Sequence, residues 1–206
     1  MPARRASDDL KEVIRDFRRD QVIDVARRLF GERGTTEVSM DEIANEAGVA
    51  RSTVYVYFAN RDELLRACLK RMHNQLLEVL ATVWEGGTDP ATRLRTLTEA
   101  MFERLDESPA FFRLALVTQE AVSDGGGAVG SELALIGLDI ARLIQDLYVE
   151  GVTMGRFRPM DPGRATSLIG QQLYGAMSVR AGDPMPLPRA EAAAEVSEFV
   201  LRALAS

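Results

Sequence analysis

One short segment of the 206-residue chain concentrates side chains that can hydrogen-bond a nucleic acid. Arg51 and Tyr55 are four residues apart, as are Thr53 and Tyr57, so in a helix each pair lies on one side. Guanidinium and hydroxyl groups bond readily to phosphate oxygens and to base edges, and a helix carrying them suits a DNA major groove. The side chains on this predicted outer face are Arg51, Ser52, Thr53, Tyr55 and Tyr57.

The surrounding residues predict two short helices that cross at a tight turn. Ser39 and Glu42 form a capping-box pattern that begins the first helix, and Gly48 suits the positive φ that ends it. Ala44 is small enough for the two helices to approach closely. Residues 39–58 therefore predict a helix-turn-helix, although a helical hairpin whose polar residues merely face water is the alternative. The predicted inner face consists of Ile43, Ala47, Val49, Val54 and Phe58.

Glycine and proline divide the rest of the sequence into further helical segments. An apolar stripe from Val22 to Phe30 precedes the motif, and a long helical stretch from Asp62 to Trp84 follows it. Residues 124–130 are predicted to form a glycine-rich loop. The predicted fold is all-α with about nine helices, the last five covering residues 89–106, 108–122, 131–151, 161–180 and 189–204.

Composition limits the classes of protein to be considered. The net charge is −6, and residues 1–60 carry 10 Lys and Arg against 11 Asp and Glu, so DNA binding cannot be argued from bulk charge. No apolar run approaches the ~20 residues of a membrane-spanning helix. No secretory signal is recognisable, and a single cysteine, Cys68, fits a reducing compartment. A cytoplasmic protein without a membrane partner is expected.

A family resemblance is carried by the sequences VARRLFGERG and VSMDEIANEAGVARSTVYVYFANRDELL. Residues 15–65 resemble the DNA-binding domain of the TetR family of bacterial transcriptional regulators. The resemblance implies that Arg51 and Ser52 read bases, and that Thr53, Tyr55 and Tyr57 contact the groove and its phosphates. It also implies phosphate contacts from Ser39 and Arg61.

The same resemblance implies a division of the whole chain and a mode of action. Residues 1–14 would be an N-terminal tail, 15–65 the DNA-binding domain, and 66–206 a domain for effector binding and dimerisation. The implied function is a sequence-specific, homodimeric repressor that leaves a pseudo-palindromic operator when a small-molecule effector binds. An activator, or a repressor without a ligand, is compatible with the same sequence. A helical enzyme or ligand-binding protein without DNA binding is the alternative from another class.

Two sets of residues in the second domain are assigned as candidates. Aromatic and methionine side chains with a polar neighbour are typical of pockets between helices, although each is compatible with simple core packing. The apolar stripes of the last two helices would pair with a second copy in a four-helix bundle, as the resemblance implies. The pocket candidates are Phe102, Phe112, Gln119, Tyr174 and Met177, and the interface candidates are Leu168, Leu173, Val196, Phe199 and Val200.

Signals for catalysis or metal binding are weak. Cys68 and His73 are five residues apart on one predicted helix and so lie on different faces, which disfavours a Cys–His nucleophile. Gly125–Gly127 lacks the Lys-Ser/Thr of a phosphate-binding loop and is predicted to be an interhelical connection. Arg4 and Arg5 are compatible with a minor-groove arm, but Asp8 and Asp9 favour a solvated tail. We expect no catalytic residue, no metal and no cofactor other than the unidentified effector, and Cys68 is interpreted as a buried residue rather than a redox sensor.

Overall fold

The computed structural model describes residues 2–35, 37–85, 87, 89–107, 109, 112 and 127–205. Their secondary structure is helical apart from one isolated antiparallel bridge between Phe157 and Ala205, so the predicted all-α fold is confirmed. None of the described helices is both long and apolar enough to cross a membrane. The helices are α1 (Pro2–Arg33), α2 (Met40–Glu46), α3 (Arg51–Tyr57), α4 (Arg61–Glu85), α5 (Pro90–Glu107), α6 (Gly127–Thr153), α7 (Pro162–Gly182) and α8 (Arg189–Leu204).

Three predicted segments differ from the structure or cannot be compared with it. The helix predicted over 108–122 lies largely outside the described residues. Residues 127–130 belong to α6 instead of the predicted glycine-rich loop, and Gly130 is buried. Residues 2–14 belong to α1 and not to an irregular tail. The tail was expected because the acidic residues of this segment offset its basic ones. Charge balance does not measure helix propensity, and the segment contains Ala, Arg, Leu and Lys, which favour helices.

The first core is built where α1 to α3 meet the beginning of α4. Each helix contributes the apolar residues of one face, and the predicted inner face of the helix-turn-helix is buried or half-buried in this core as expected. Its fully buried members include Val22, Ala26, Phe30, Ile43, Val54, Phe58 and Leu64.

The second core lies between the end of α4 and the helices α5 to α8. Val79 and Val83 of α4 pack there with residues of all four later helices, such as Leu97, Leu147, Leu173 and Val200. One continuous helix thus belongs to two cores, since Leu64 and Cys68 lie in the first and Val79 and Val83 in the second. A helix fixed at both ends transmits a rotation at one end to the other.

The connection between α6 and α7 depends on a glycine. A Cβ atom on Gly151 would lie 2.0 Å from Cδ2 of Phe157, whose ring packs over the helix at this point. The Phe157 ring stacks on Tyr148 at 6.4 Å, and the Tyr148 hydroxyl donates to the Arg158 carbonyl at 3.0 Å. This contact fixes the angle at which α7 leaves α6.

Candidate nucleic-acid interface and ligand cavity

Ser39 begins the first helix of the helix-turn-helix by a reciprocal capping box. Its hydroxyl accepts from the Glu42 backbone N–H at 3.2 Å, and its own backbone N–H donates to the Glu42 carboxylate at 2.9 Å. The Glu42 carboxylate thus accepts from the Ser39 backbone N–H, and it also accepts from the Ser39 hydroxyl at 2.8 Å and from Arg33 at 2.9 Å, which together lower the pKa of Glu42 to about 2. The predicted capping box is therefore present, and the Ser39 side chain is engaged in it.

The turn between α2 and α3 requires a glycine. Gly48 has a φ of +64°, in the left-handed region that other residues adopt only at a cost. The Val49 backbone N–H then donates to the Ala44 carbonyl at 3.0 Å, which brings the chain back across the end of α2. Ala44 is buried at this crossing, where a larger side chain would push the helices apart.

The outer face of α3 is open to solvent. Arg51, Ser52 and Tyr55 are exposed, whereas Thr53 is half-buried. Tyr57 is half-buried as well, and its ring meets the edge of Phe58 at 6.4 Å, so it also supports the core. Of the five residues predicted on this face, three are presented fully to a partner.

Arg51 is held at the surface by two neighbours. Its Nε atom lies 2.8 Å from Oδ1 of Asp41 on α2, and its guanidinium lies over the Tyr55 ring, 5.5 Å from the ring centre. A hydrogen bond with Tyr55, followed by the charge of Asp41, raises the pKa of Arg51. With 65% of the Arg51 side chain exposed, its pair with Asp41 is weak, so an incoming polyanion can displace Asp41 at little cost.

Ser39 and Arg61 line one shallow recess of about 330 Å³ beside α3. Asn60 begins α4 there, because its side-chain oxygen accepts from the Glu63 backbone N–H at 2.9 Å. The recess also includes Val38, Met40 and Asp62. The structure thus brings together the two residues that were predicted separately as phosphate contacts.

A cavity of about 590 Å³ lies between α4, α5, α6 and α7. Among the predicted pocket residues it includes Phe112, Tyr174 and Met177. The structure does not place Phe102 there, because that ring is buried on the other side of α7 with Leu105. Gln119 lies outside the described residues.

Sequence reasoning missed most of the cavity wall. The missed residues come from α4 to α7, and the signal for α6 was present as an apolar stripe at a spacing of four residues. None of the described lining residues carries a charge, and the polar ones all come from α7. The apolar wall includes Met72, Met101, Ile136, Ile140 and Ile144, and the polar edge includes Thr166, Ser167, Gln171 and Tyr174.

A narrower space of about 100 Å³ shares part of this wall and reaches α1. Arg27 of α1 borders it, together with Arg104 and Glu107 of α5, which are 2.8 Å apart. Burial lowers the pKa of Arg27. Through this extension a ligand in the cavity would approach a helix of the DNA-binding domain.

The predicted interface residues divide into two groups. Leu173 and Val200 are buried within the protomer, so their stripes form its own second core and not a free surface. Val196 is half-buried. Leu168 and Phe199 are exposed, by 51% and 61%, and Val179 on the same side of α7 was not predicted. Periodicity identified the apolar helices but not which of their edges faces outward.

Cys68 and His73 do not form a catalytic pair. The Cys68 thiol is fully buried and lies 3.7 Å from the Ile23 carbonyl oxygen, and burial raises its pKa to about 12. A thiol in this state is a poor nucleophile. His73 contacts carboxylates of α6 instead. Within the described part of the chain, no three His, Cys, Asp or Glu side chains group closely enough to bind a metal ion.

Comparison with known proteins finds relatives of the helix-turn-helix segment. Residues 22–68 match the family model described as bacterial regulatory proteins, tetR family. The activator FasR of Mycolicibacterium smegmatis is 35% identical over 100 residues, which are 48% of this chain and 46% of FasR. The fatty acid metabolism regulator protein of Bacillus subtilis is 24% identical over 157 residues, 76% of this chain and 78% of that protein. The matched region thus spans about half the length of FasR and about three quarters of the length of the Bacillus subtilis protein.

Solved structures extend the likeness to the whole fold. The ketosteroid regulator KstR2 of Mycobacterium tuberculosis superimposes with a TM-score of 0.76 at 21% identity, over 92% of this chain and 95% of KstR2. FadR of Bacillus subtilis in complex with stearoyl-CoA gives 0.75 at 21% identity, over 88% and 96%. At these identities the structural likeness establishes the fold. Together with the helix-turn-helix, the match over residues 22–68 shows that this segment of the chain belongs to the tetR family of bacterial regulatory proteins.

Proposed function

We propose that this protein is a homodimeric transcription regulator that binds a pseudo-palindromic operator through α3 and releases it when an apolar small molecule binds. The observation that carries the proposal is the division of α3 into two faces. Val54 is fully buried while Arg51, Ser52 and Tyr55 face solvent beside the Ser39–Arg61 recess. A helix so anchored presents base-reading and phosphate-binding groups on one side.

The dimer is proposed to form through α7 and α8. Both helices expose apolar side chains on the side away from the second core, among them Leu168 and Val179 on α7 and Phe199 on α8. Two copies related by a two-fold axis would cover these residues in a four-helix bundle. The two α3 helices would then face two half-sites about 34–36 Å apart, one turn of DNA.

The effector is proposed to be an elongated molecule with an apolar body. The cavity is of the size that ligand sites usually have, and its wall of Met and Ile side chains offers no partner for a charge. The hydroxyl and amide groups of α7 would bind one polar end of the molecule. The name of the Bacillus subtilis relative and the stearoyl-CoA complex of FadR support a long acyl chain as the first ligand to examine.

Release of DNA is proposed to act through α4. Only residues 58–60 separate this helix from α3, and its residue Met72 borders the cavity. A ligand that favours another tilt of α4 would change the distance between the two α3 helices and thus lower operator affinity by a population shift. Linkage then requires the operator to lower ligand affinity by the same factor. Reversing a 1:99 ratio of states needs roughly 5.5 kcal/mol of differential ligand affinity.

Two binding experiments test this function. Mobility shift or fluorescence anisotropy with the intergenic DNA upstream of the protein's own gene should give a complex that scrambled DNA of equal length does not compete away. A protein that binds neither DNA would be a ligand-binding or enzymatic helical protein. Stearoyl-CoA is then titrated with and without the operator. Equal ligand affinity in the two titrations would exclude this compound as an inducer.

The direction of control is tested separately. The proposed repressor should lower the output of a reporter placed behind its operator, and the ligand should restore it. FasR is named an activator, so a reporter whose output rises with the protein would assign the activator role instead.

A further inference from the structure

His73 lies between two carboxylates of another helix. Its Nδ1 atom is 3.3 Å from Oε1 of Glu132, and its Nε2 atom is 2.8 Å from Oδ2 of Asp139. The imidazole belongs to α4, whereas both acids belong to α6, two helical turns apart. Only 12% of the His73 side chain is exposed, and the acids are 21% and 27% exposed.

This geometry selects one form of the ring. A neutral imidazole has one donor and one acceptor nitrogen, whereas an ionised carboxylate only accepts. A neutral His73 would therefore turn a lone pair toward one of the two acids. The imidazolium donates to both, and charge-assisted bonds of this kind are about twice as strong as neutral ones. The arrangement fits the doubly protonated ring.

Among the other charged groups around this part of α4, Arg142 pairs with an acid of the cluster, and the remaining ones pair with each other or face solvent. On α6, Arg142 is 3.7 Å from Oδ1 of Asp139, and on α1, Asp20 and Asp24 lie within 3.5 Å of Arg71. On α5, Arg104 and Glu107 pair with each other. Lys70, one turn before His73 on α4, is exposed. Glu132 and Asp139 therefore remain the acids in contact with the ring.

The position of the cluster gives it a role. Leu133, Ile136 and Ile140 of α6 border the cavity and alternate with Glu132 and Asp139 along the same helix. His73 follows Met72, which borders the cavity from α4. We propose that His73, doubly protonated, is the positioning residue that fixes α4 to the cavity helix α6, and that loss of its proton loosens this tie.

The consequences run in one direction with pH. The stabilisation is present while the ring holds both protons and is lost when rising pH removes one of them. Because α4 continues into the first core, the loosened tie also changes the freedom of the DNA-binding domain. The protonation itself is independent of DNA, and only this last step rests on the proposed function.

A conservative variant separates protonation from simple structural loss. In Asp139→Asn the side-chain amide can donate to Nε2, so a neutral ring satisfies both partners. Asp146→Asn, an exposed position on the same helix, removes the same charge and is the control. The protein has a single histidine, so in tag-free, ¹⁵N-labelled protein the ring nitrogens give one unambiguous pair of signals.

The expected spectra are specific. Both ring nitrogens stay protonated to a higher pH in the wild type and in Asp146→Asn than in Asp139→Asn. The melting temperature of the wild type falls relative to that of Asp139→Asn by about 2–4 °C from pH 5.5 to pH 8. Identical titration of the ring in the wild type and in Asp139→Asn overturns the proposal.

Operator binding tests the consequence for function. Affinity should vary severalfold over the same pH range in the wild type and in Asp146→Asn, and should stay constant in Asp139→Asn. Equal pH dependence in all three proteins overturns the coupling through His73. If none of them binds DNA while the ring is doubly protonated as expected, the proposed function fails and the tie between α4 and α6 stands.

Discussion

The Nε atom of Arg51 on α3 lies 2.8 Å from Oδ1 of Asp41 on α2. Both side chains are at least half exposed, so water screens the pair and its contribution to stability is small. The pair nevertheless keeps the guanidinium extended from the surface at the beginning of α3. Arg51 is thus held in place before any base is present.

Arg51→Ala tests base reading. We expect operator affinity to fall by about 1–3 kcal/mol and affinity for random DNA to change little, because a bidentate contact to a base edge discriminates by this amount. Fluorescence anisotropy with both DNAs at one salt concentration measures the two effects. Arg156→Ala, an exposed arginine in the connection between α6 and α7, is the matched control and should bind as the wild type does. An equal loss on both DNAs would assign Arg51 to the phosphates instead.

Arg61→Ala tests phosphate binding at the Ser39–Arg61 recess. We expect weaker binding to every sequence, since a phosphate contact carries no sequence information. The slope of log K against log salt should become less steep by about 0.9 for each phosphate that a subunit no longer neutralises. The measurement is a salt titration of operator and random DNA, again with Arg156→Ala beside it. An unchanged slope would show that Arg61 contributes in some way other than by neutralising a phosphate.

The helix-turn-helix was predictable because its determinants are local. The Ser39–Glu42 capping box and the positive φ of Gly48 are both set by residues within a few positions of each other. Val54 and Phe58 were correctly placed in the core because short helices have only one apolar side to bury. Local signals of this kind determine a structure without knowledge of the rest of the chain.

The cavity and the outer face of the last two helices were predicted less well, because they depend on tertiary packing. Phe102 and Phe112 both pack in or against one cluster that includes Leu105 and Met177, yet only Phe112 borders the cavity. Leu173 and Phe199 both belong to apolar stripes, but α7 buries Leu173 against its own protomer. A helical period of 3.6 residues identifies the apolar side and not the element that covers it.

Phe199→Asp tests the proposed interface. Phe199 is exposed in the protomer, so the variant should fold normally, but a charge in an apolar seam without a partner is costly. Light scattering should therefore report a monomer where the wild type is a dimer. Phe17→Asp makes the same change at an exposed position of α1 and should remain dimeric. If Phe199→Asp is still a dimer at low micromolar concentration, the subunits meet through another surface.

Gly170→Leu tests the cavity by filling it. Gly170 lies on α7 at the cavity wall, and a Cβ there would meet no other atom within 4 Å. Leucine also suits a helix interior better than glycine, by up to about 1 kcal/mol, so the variant should unfold at a temperature about 2–4 °C higher in thermal denaturation. Its side chain would occupy space that the acyl chain of stearoyl-CoA needs. We therefore expect the rise in melting temperature that stearoyl-CoA causes in the wild type to disappear in Gly170→Leu.

Gly182→Leu is the control, because it lies at the exposed end of the same helix with open space around its Cβ and does not border the cavity. A ligand-induced shift as large in Gly170→Leu as in Gly182→Leu would mean that the ligand binds elsewhere.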